Sequence, residues 1–221
     1  MTVKAIIFDM DGVLIDSEPL WKQAGVEIFN AFDLPVTWAD MVALTGLPSR
    51  AIVEKIYQKY HNAPVPADEM ASRLNTHAID MILKQKPLMP GVTETLEKLT
   101  ALGYRLAVAS ASPRKLLEEI TRRCDIAQYF AYLSSATELD YNKPHPQVYL
   151  HAAEQLQAAP GDCLGIEDSV IGMTAVKAAS MKCVVIPDNA TKTDPRWSLA
   201  DAKLTSLRDI NQALLEKLAA H

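Results

Sequence analysis

Cysteine is scarce and unpatterned in this chain. Cys124, Cys163 and Cys183 are odd in number and widely spaced, with no CxxC pair. That excludes a disulfide framework and predicts reduced core thiols in a cytoplasmic protein. The five histidines show no metal-ligand spacing. Basic residues are too few and too scattered for a polyanion: 22 Lys and Arg face 27 Asp and Glu, the net charge is −5, and no basic block occurs. Nucleic acid and anionic membrane surfaces are therefore not expected as partners. No window approaches the roughly eighteen uncharged apolar residues that a membrane span requires. The apolar run Ala5-Ile6-Ile7-Phe8 after Met1-Thr2-Val3-Lys4 is too short for a signal-peptide core.

What remains is 221 residues, 49% of them hydrophobic, enough for one large α/β domain or a core with a smaller insert. Ala5-Ile6-Ile7-Phe8 reads as a buried strand, and it runs directly into Asp9-Met10-Asp11-Gly12. If the strand continued, Asp9 and Asp11 would share one face. Two such carboxylates are costly together unless a cation or a shared proton relieves them. Gly12 suits a tight turn.

From Pro19 to about Lys86 the pattern is helical: Leu20, Trp21, Ala24, Ile28; then Ile52, Ile56, Tyr60; then Ala78, Ile79, Ile82, Leu83. Breaks fall at Pro35, Gly46-Leu47-Pro48 and Pro64-Val65-Pro66. No strand alternates with these segments, so they predict a helical bundle inserted into an α/β chain. After Pro90-Gly91 strands and helices alternate. Strands are expected over Tyr104–Ala109, Tyr132–Ala136, Cys163–Ile166 and Lys182–Ile186, which implies a parallel sheet. Ser112 is expected to cap a helix with Pro113 in its first position. The boundaries are 1–15 and 87–221 for the α/β core and 16–86 for the helical domain.

Polar clusters follow the strands: Asp9 and Asp11, Ser110-Ala111-Ser112, the Lys143 loop, and Glu167-Asp168. C-terminal strand ends of a parallel sheet converge on one crevice. Four acids and one lysine there suit Mg²⁺, a hard cation bound through oxygen. Zinc would want His or Cys, which these strand ends lack. The Ser110 hydroxyl, a helix start and Lys143 suit a phosphate. Singly, each cluster also reads as something ordinary: a helix cap, a solvated loop lysine, a solvated N-cap. Their order along the chain carries the joint signal, which is phosphoryl transfer through a carboxylate.

With these motifs in place, the chain resembles the haloacid dehalogenase-like (HAD) superfamily of phosphohydrolases over its whole length. Asp9-Met10-Asp11-Gly12, Ser110, Lys143 and Glu167-Asp168 are similar to its four motifs. The strings Asp16-Ser17-Glu18-Pro19-Leu20-Trp21, Ala109-Ser110-Ala111-Ser112-Pro113 and Lys143-Pro144-His145-Pro146 resemble the β-phosphoglucomutase-like sugar phosphatases, in particular bacterial hexitol phosphatases and 2-deoxyglucose-6-phosphate phosphatases. The resemblance implies a Rossmann-like parallel core with a helical cap that opens for substrate and closes over it. It implies Asp9 as nucleophile and Asp11 as acid and then base. It implies Mg²⁺ on Asp9, the Asp11 carbonyl and Asp168, with Glu167 acting directly or through water. It implies phosphate on Ser110, Ala111 and Lys143, and a phosphorylated sugar or polyol as the small-molecule partner; the sequence leaves the oligomeric state open, with a monomer as the default expectation. Arg50 and Trp21 are the candidate substrate contacts of the cap. A mutase of this group carries a His where this chain has Trp21 and a basic residue where it has Leu74. Hydrolysis is therefore expected over isomerisation, with the β-phosphoglucomutase reaction as the alternative. A dehalogenase would lack the second acid, and a binding module would not need the full set.

Overall fold

The computed structural model describes residues 3–45 and 47–220; Gly46, from the break at Gly46-Leu47-Pro48, lies outside them. The central strand is β1 (Ala5–Phe8), buried at every residue. It pairs in parallel with β2 (Arg105–Ser110) on one side and β4 (Cys163–Glu167) on the other. With β3 (Phe130–Ser135), β5 (Lys182–Val185) and the two-residue β6 (Ala202–Lys203), they form one six-stranded parallel sheet of order β3-β2-β1-β4-β5-β6. The expected α/β class holds. β6 is too short to leave a periodic signal.

The chain clusters into two compact units, Met1–Asp16 with Leu88–His221, and Ser17–Pro87. In the first, Ala5, Ile7, Ala107, Ala109, Cys163 and Cys183 point to one sheet face. There they meet Val148, Tyr149 and Ala152 of α7 (Gln147–Gln155) and Met173 and Val176 of α8 (Val170–Ala178). Ile6, Phe8, Leu106, Val108, Leu164 and Ile166 alternate to the other face and are equally buried. A parallel sheet buried on both faces reads as unbroken apolar runs, as these strands do. Cys124, Cys163 and Cys183 are all buried free thiols.

Helices of the second unit are α1 (Glu18–Ala31), α2 (Trp38–Ala43), α3 (Ser49–Tyr60) and α4 (Ala67–Gln85). Phe29, Leu34, Val36, Met41, Val53, Ile56 and Met70 form its core. The short α2 escapes a periodicity search. Its signal is the capping box at Thr37 and Asp40, each side chain bonding the other residue's N–H. No helix among the described residues is long and apolar enough to cross a membrane.

Two local expectations need correction. β1 stops at Phe8, so Asp9 and Asp11 lie in the following turn rather than along one strand face. Gly12, at φ +79°, donates its N–H to the Ile15 carbonyl at 2.8 Å and closes that turn. The helix after β2, α6 (Arg114–Arg123), starts one residue later than Pro113 as its first residue would require, and Pro113 itself is the N-cap. Ser112 is drawn away from that role. Its N–H donates to Ser110 Oγ at 3.0 Å and its hydroxyl to Asp11 Oδ2 at 3.2 Å.

Candidate active site

Sheet register assembles the site. Phe8 is level with Val108 on β2 and with Ile166 on β4. The next residues in each chain, Asp9, Ala109 and Glu167, therefore emerge side by side, with Ser110 and Asp168 one step further. The Asp9 N–H continues the ladder to the Ile166 carbonyl at 2.9 Å. Strand order reverses between β1 and β4, and at such a switch point the strand ends leave a crevice. On the β2 side the Ser110–Ser112 loop is tied down by Ser135 of β3, whose hydroxyl donates to the Ser112 carbonyl at 2.7 Å. Ser110 is buried, Ser112 half-buried and Ala111 exposed.

Lys143 joins these ends. It arrives from the loop after β3, and its Nζ donates to Asp9 Oδ1 at 2.8 Å and to Glu167 Oε1 at 2.7 Å. Its side chain is only 8% exposed, and the Glu167 side chain is fully buried. Glu167 is bound on both oxygens. Tyr149 donates to Oε1 at 2.6 Å, and the N–H and hydroxyl of Ser169 reach Oε2 at 3.3 and 3.1 Å. Ser169 also caps α8 through the Gly172 N–H at 2.9 Å. Two glycines make room for the acids. A Cβ on Gly12 would lie 1.9 Å from Asp168 Oδ2, and one on Gly172 would lie 1.8 Å from Glu167 Oε1.

Crowded acids in a dry site hold protons. Burial pushes the Asp9 carboxyl up to about 7; Lys143 works against that rise, while Glu167 and Asp11 add to it. Burial, with the charges of Asp9 and Glu167, pushes Asp168 up to about 8. For Lys143 burial alone would lower the ammonium, but Asp9 and Glu167 together hold it above its ordinary value.

One carboxylate oxygen from each of Asp9, Glu167 and Asp168 lies within 4.8 Å of the others. These donors are all hard oxygens, clustered closely enough to share one ion, and raised carboxyl pKa values mark a charge deficit that a dication would relieve. The residues therefore fit a divalent metal of the Mg²⁺ class.

Asp9, Asp11, Ser110, Ala111, Lys143, Glu167 and Asp168 all belong to the first unit. Arg50 and Trp21 belong to the second. Arg50 is exposed and paired with Glu54 and Asp68. Trp21 packs on a small cluster of Ala24, Leu74 and Ala78. Residue patterns alone miss the site roles of Tyr149, which reads as an apolar helix position, and of Ser112 and Ser169, which read as caps. A buried tyrosine hydroxyl must find a partner, and that is the one signal pointing to Tyr149.

A sequence signature described as haloacid dehalogenase-like hydrolase matches residues 6–186. Hexitol phosphatase B of Escherichia coli K12 is 39% identical over 209 residues, covering 94% of each chain. The phosphorylated carbohydrates phosphatase of Thermotoga maritima is 31% identical over 186 residues, covering 81% of this chain and 83% of its own. The crystal structure of CbbY from Rhodobacter sphaeroides in complex with phosphate superposes with a TM-score of 0.80 at 24% identity, covering 97% of this chain and 100% of that one. At that identity the likeness concerns the fold alone.

Proposed function

This chain belongs to the haloacid dehalogenase-like hydrolases and is a phosphatase, and we propose that it hydrolyses a hexose or hexitol phosphate, of the 2-deoxyglucose 6-phosphate type, with Mg²⁺ and through a phosphoryl group carried on Asp9. The observation that carries this proposal is the buried contact of Lys143 with Asp9 at 2.8 Å, beside Glu167 and Asp168. A lysine held on a carboxylate in a cluster of acids suits a nucleophile that must meet an anionic group. The relatives named for hexitol and carbohydrate phosphates support the substrate class.

In the proposed course an Asp9 carboxylate oxygen attacks phosphorus. The sugar alcohol departs with the proton of Asp11. Asp11 then takes a proton from water, which attacks the acyl phosphate, releases phosphate and restores Asp9. Ser110, the Ala111 N–H and Lys143 bind the phosphoryl oxygens. Asp9, Asp168, Glu167 and the Asp11 carbonyl are the proposed metal ligands. The metal, when bound, supplies charge neutralisation at the phosphoryl oxygens. Hydrolysis of a phosphate monoester can require acceleration of up to about 10²¹, or roughly 28 kcal/mol. Proton transfer by Asp11 supplies only about 10²–10⁴-fold, and orientation ~7–11 kcal/mol. Charge stabilisation must supply most of the rest.

The second unit favours hydrolysis over isomerisation. Trp21 and Leu74, at the two positions where a mutase carries His and a basic residue, pack in the same apolar cluster, and Leu74 is 1% exposed. Neither can hold a sugar phosphate by charge while it turns over. Arg50 and Trp21 are the proposed substrate contacts of this unit.

A phosphate-release screen over hexose, hexitol and pentose monophosphates with Mg²⁺ tests the proposal. Fastest release from a hexitol or hexose phosphate is expected. Conversion of β-glucose 1-phosphate to glucose 6-phosphate without phosphate release would instead establish the mutase reaction. No turnover of any ester would overturn both.

A further inference from the structure

Lysine is a flexible four-carbon chain, and Lys143 reaches the site from an exposed loop, with Asn142, Pro144 and His145 all open to solvent. Among the described residues its ammonium bonds Asp9, Glu167 and Tyr149, and no other residue of that loop. The fixing contacts lie beneath it. Tyr149 is fully buried. Its hydroxyl donates to Glu167 Oε1 at 2.6 Å and lies 3.4 Å from Lys143 Nζ, which sits 5.1 Å from the centre of the Tyr149 ring. Tyr149 rides on α7, a helix packed against β1, β2 and β3, so its ring is anchored to the scaffold rather than to the loop.

Glu167 is the other half of the device. Oε1 takes Lys143 and Tyr149, Oε2 takes two donors from Ser169, and the missing Cβ of Gly172 is what admits the carboxylate. Without the tyrosine hydroxyl, Oε1 would depend on Lys143 alone in a dry setting, and the ammonium would be drawn towards Glu167 and away from Asp9. A neutral donor at that oxygen lets the lysine charge be divided between Glu167 and Asp9.

We propose that Tyr149 is a positioning residue for catalysis: through Glu167 it holds the Lys143 ammonium over Asp9, where it meets the phosphoryl oxygens. This rests on the phosphatase reading of the same site. Tyr149 touches neither substrate nor nucleophile in this scheme, and the proposal routes its effect through Lys143 rather than through the metal that Glu167 would also hold.

A double-mutant cycle tests that dependence. Tyr149→Phe removes one oxygen, and it is expected to lower kcat/KM for p-nitrophenyl phosphate by about 10–100-fold, by analogy with the partners that orient active-site ligands elsewhere. In a Lys143→Ala background the same change is expected to do nothing further. Affinity for inorganic phosphate, measured by calorimetry with Mg²⁺ present, gives a second cycle that needs no turnover. There Tyr149→Phe should weaken binding in the parent and leave it unchanged beside Lys143→Ala. Ser169→Ala, which loosens the other Glu167 oxygen, should act in the same direction and keeps the test open if Tyr149→Phe does not fold. Equal losses from Tyr149→Phe in both backgrounds would overturn the proposal in favour of a tyrosine that is structural or acts on the metal through Glu167. So would parent-like kcat/KM and phosphate affinity in Tyr149→Phe. Failure of the unmodified enzyme to turn over any phosphate ester would instead strike the phosphatase reading, and the two failures cannot be confused.

Discussion

The exposed ion pairs of the second unit and the buried cluster of the first live under different rules. In the Ser17–Pro87 unit the pairs of Arg50 with Glu54 and Asp68, and of Arg73 with Glu69, lie at the surface with both arginines exposed. Pairs of this kind contribute little to stability, because water and salt screen them and two long side chains must be immobilised. In the other unit Asp9, Lys143 and Glu167 are almost wholly out of water. Burying such charges costs several kcal/mol per ion before any attraction is counted. That cost makes a buried charge cluster a candidate for function in a way that exposed pairs are not.

Asp9→Asn bears hardest on that contrast. It keeps shape and removes the proposed nucleophile, so kcat should fall by about 10⁴ or more with circular dichroism unchanged. Retained turnover would place the chemistry elsewhere. Gly172→Ala comes next. Its new methyl would overlap the Glu167 carboxylate, which is fully buried and held by Lys143, Tyr149 and Ser169, so the thermal midpoint should drop by on the order of 10 °C.

A third, smaller effect concerns pH. Asp9 and Asp168, raised to about 7 and about 8, bind more protons in the folded chain than in the unfolded one between roughly pH 4 and pH 8. Their contribution is present at low pH and lost as pH rises through those values. In chelator, thermal midpoints should therefore decline from pH 5 to pH 8. Added Mg²⁺ should raise the midpoint most at pH 8 and least at pH 5, since binding requires the deprotonated acids. A stabilisation by Mg²⁺ that did not grow with pH would speak against these ligands. The smallest effect belongs to the exposed pairs. Arg50→Ala should move the thermal midpoint by less than about 2 °C, and as a proposed substrate contact it should raise KM for the sugar phosphate while leaving kcat intact.

Much of this was legible in the residues because strand ends announce themselves. Ala5–Phe8 and Cys163–Glu167 are apolar runs that stop at acids, and parallel pairing brings such ends level. Other parts left no local trace. Tyr149 carries the periodicity of a core helix, and only its buried hydroxyl shows a second duty. Gly172 looks like any helical glycine until Glu167, five residues earlier, is seen folded back against it. Ser112-Pro113 offers a sound helix start by itself, yet Asp11, far away in sequence, takes the serine hydroxyl. For Tyr149 and Ser112 a partner distant in sequence outweighs the local preference and no short window contains it; for Gly172 the partner is near in sequence but meets it only in the folded turn.

The sheet order also bears on how the protein is born. β1 leaves the ribosome well before its flanking partner β4, as the Lys4–Asp162 pair shows with its separation of 158 residues. At ~5–20 residues per second the first strand waits about 10–30 s for that neighbour. The nascent chain thus presents Asp9 well before Lys143, Glu167 and Asp168 exist to meet it, and the proposed site can assemble only once β4 has emerged.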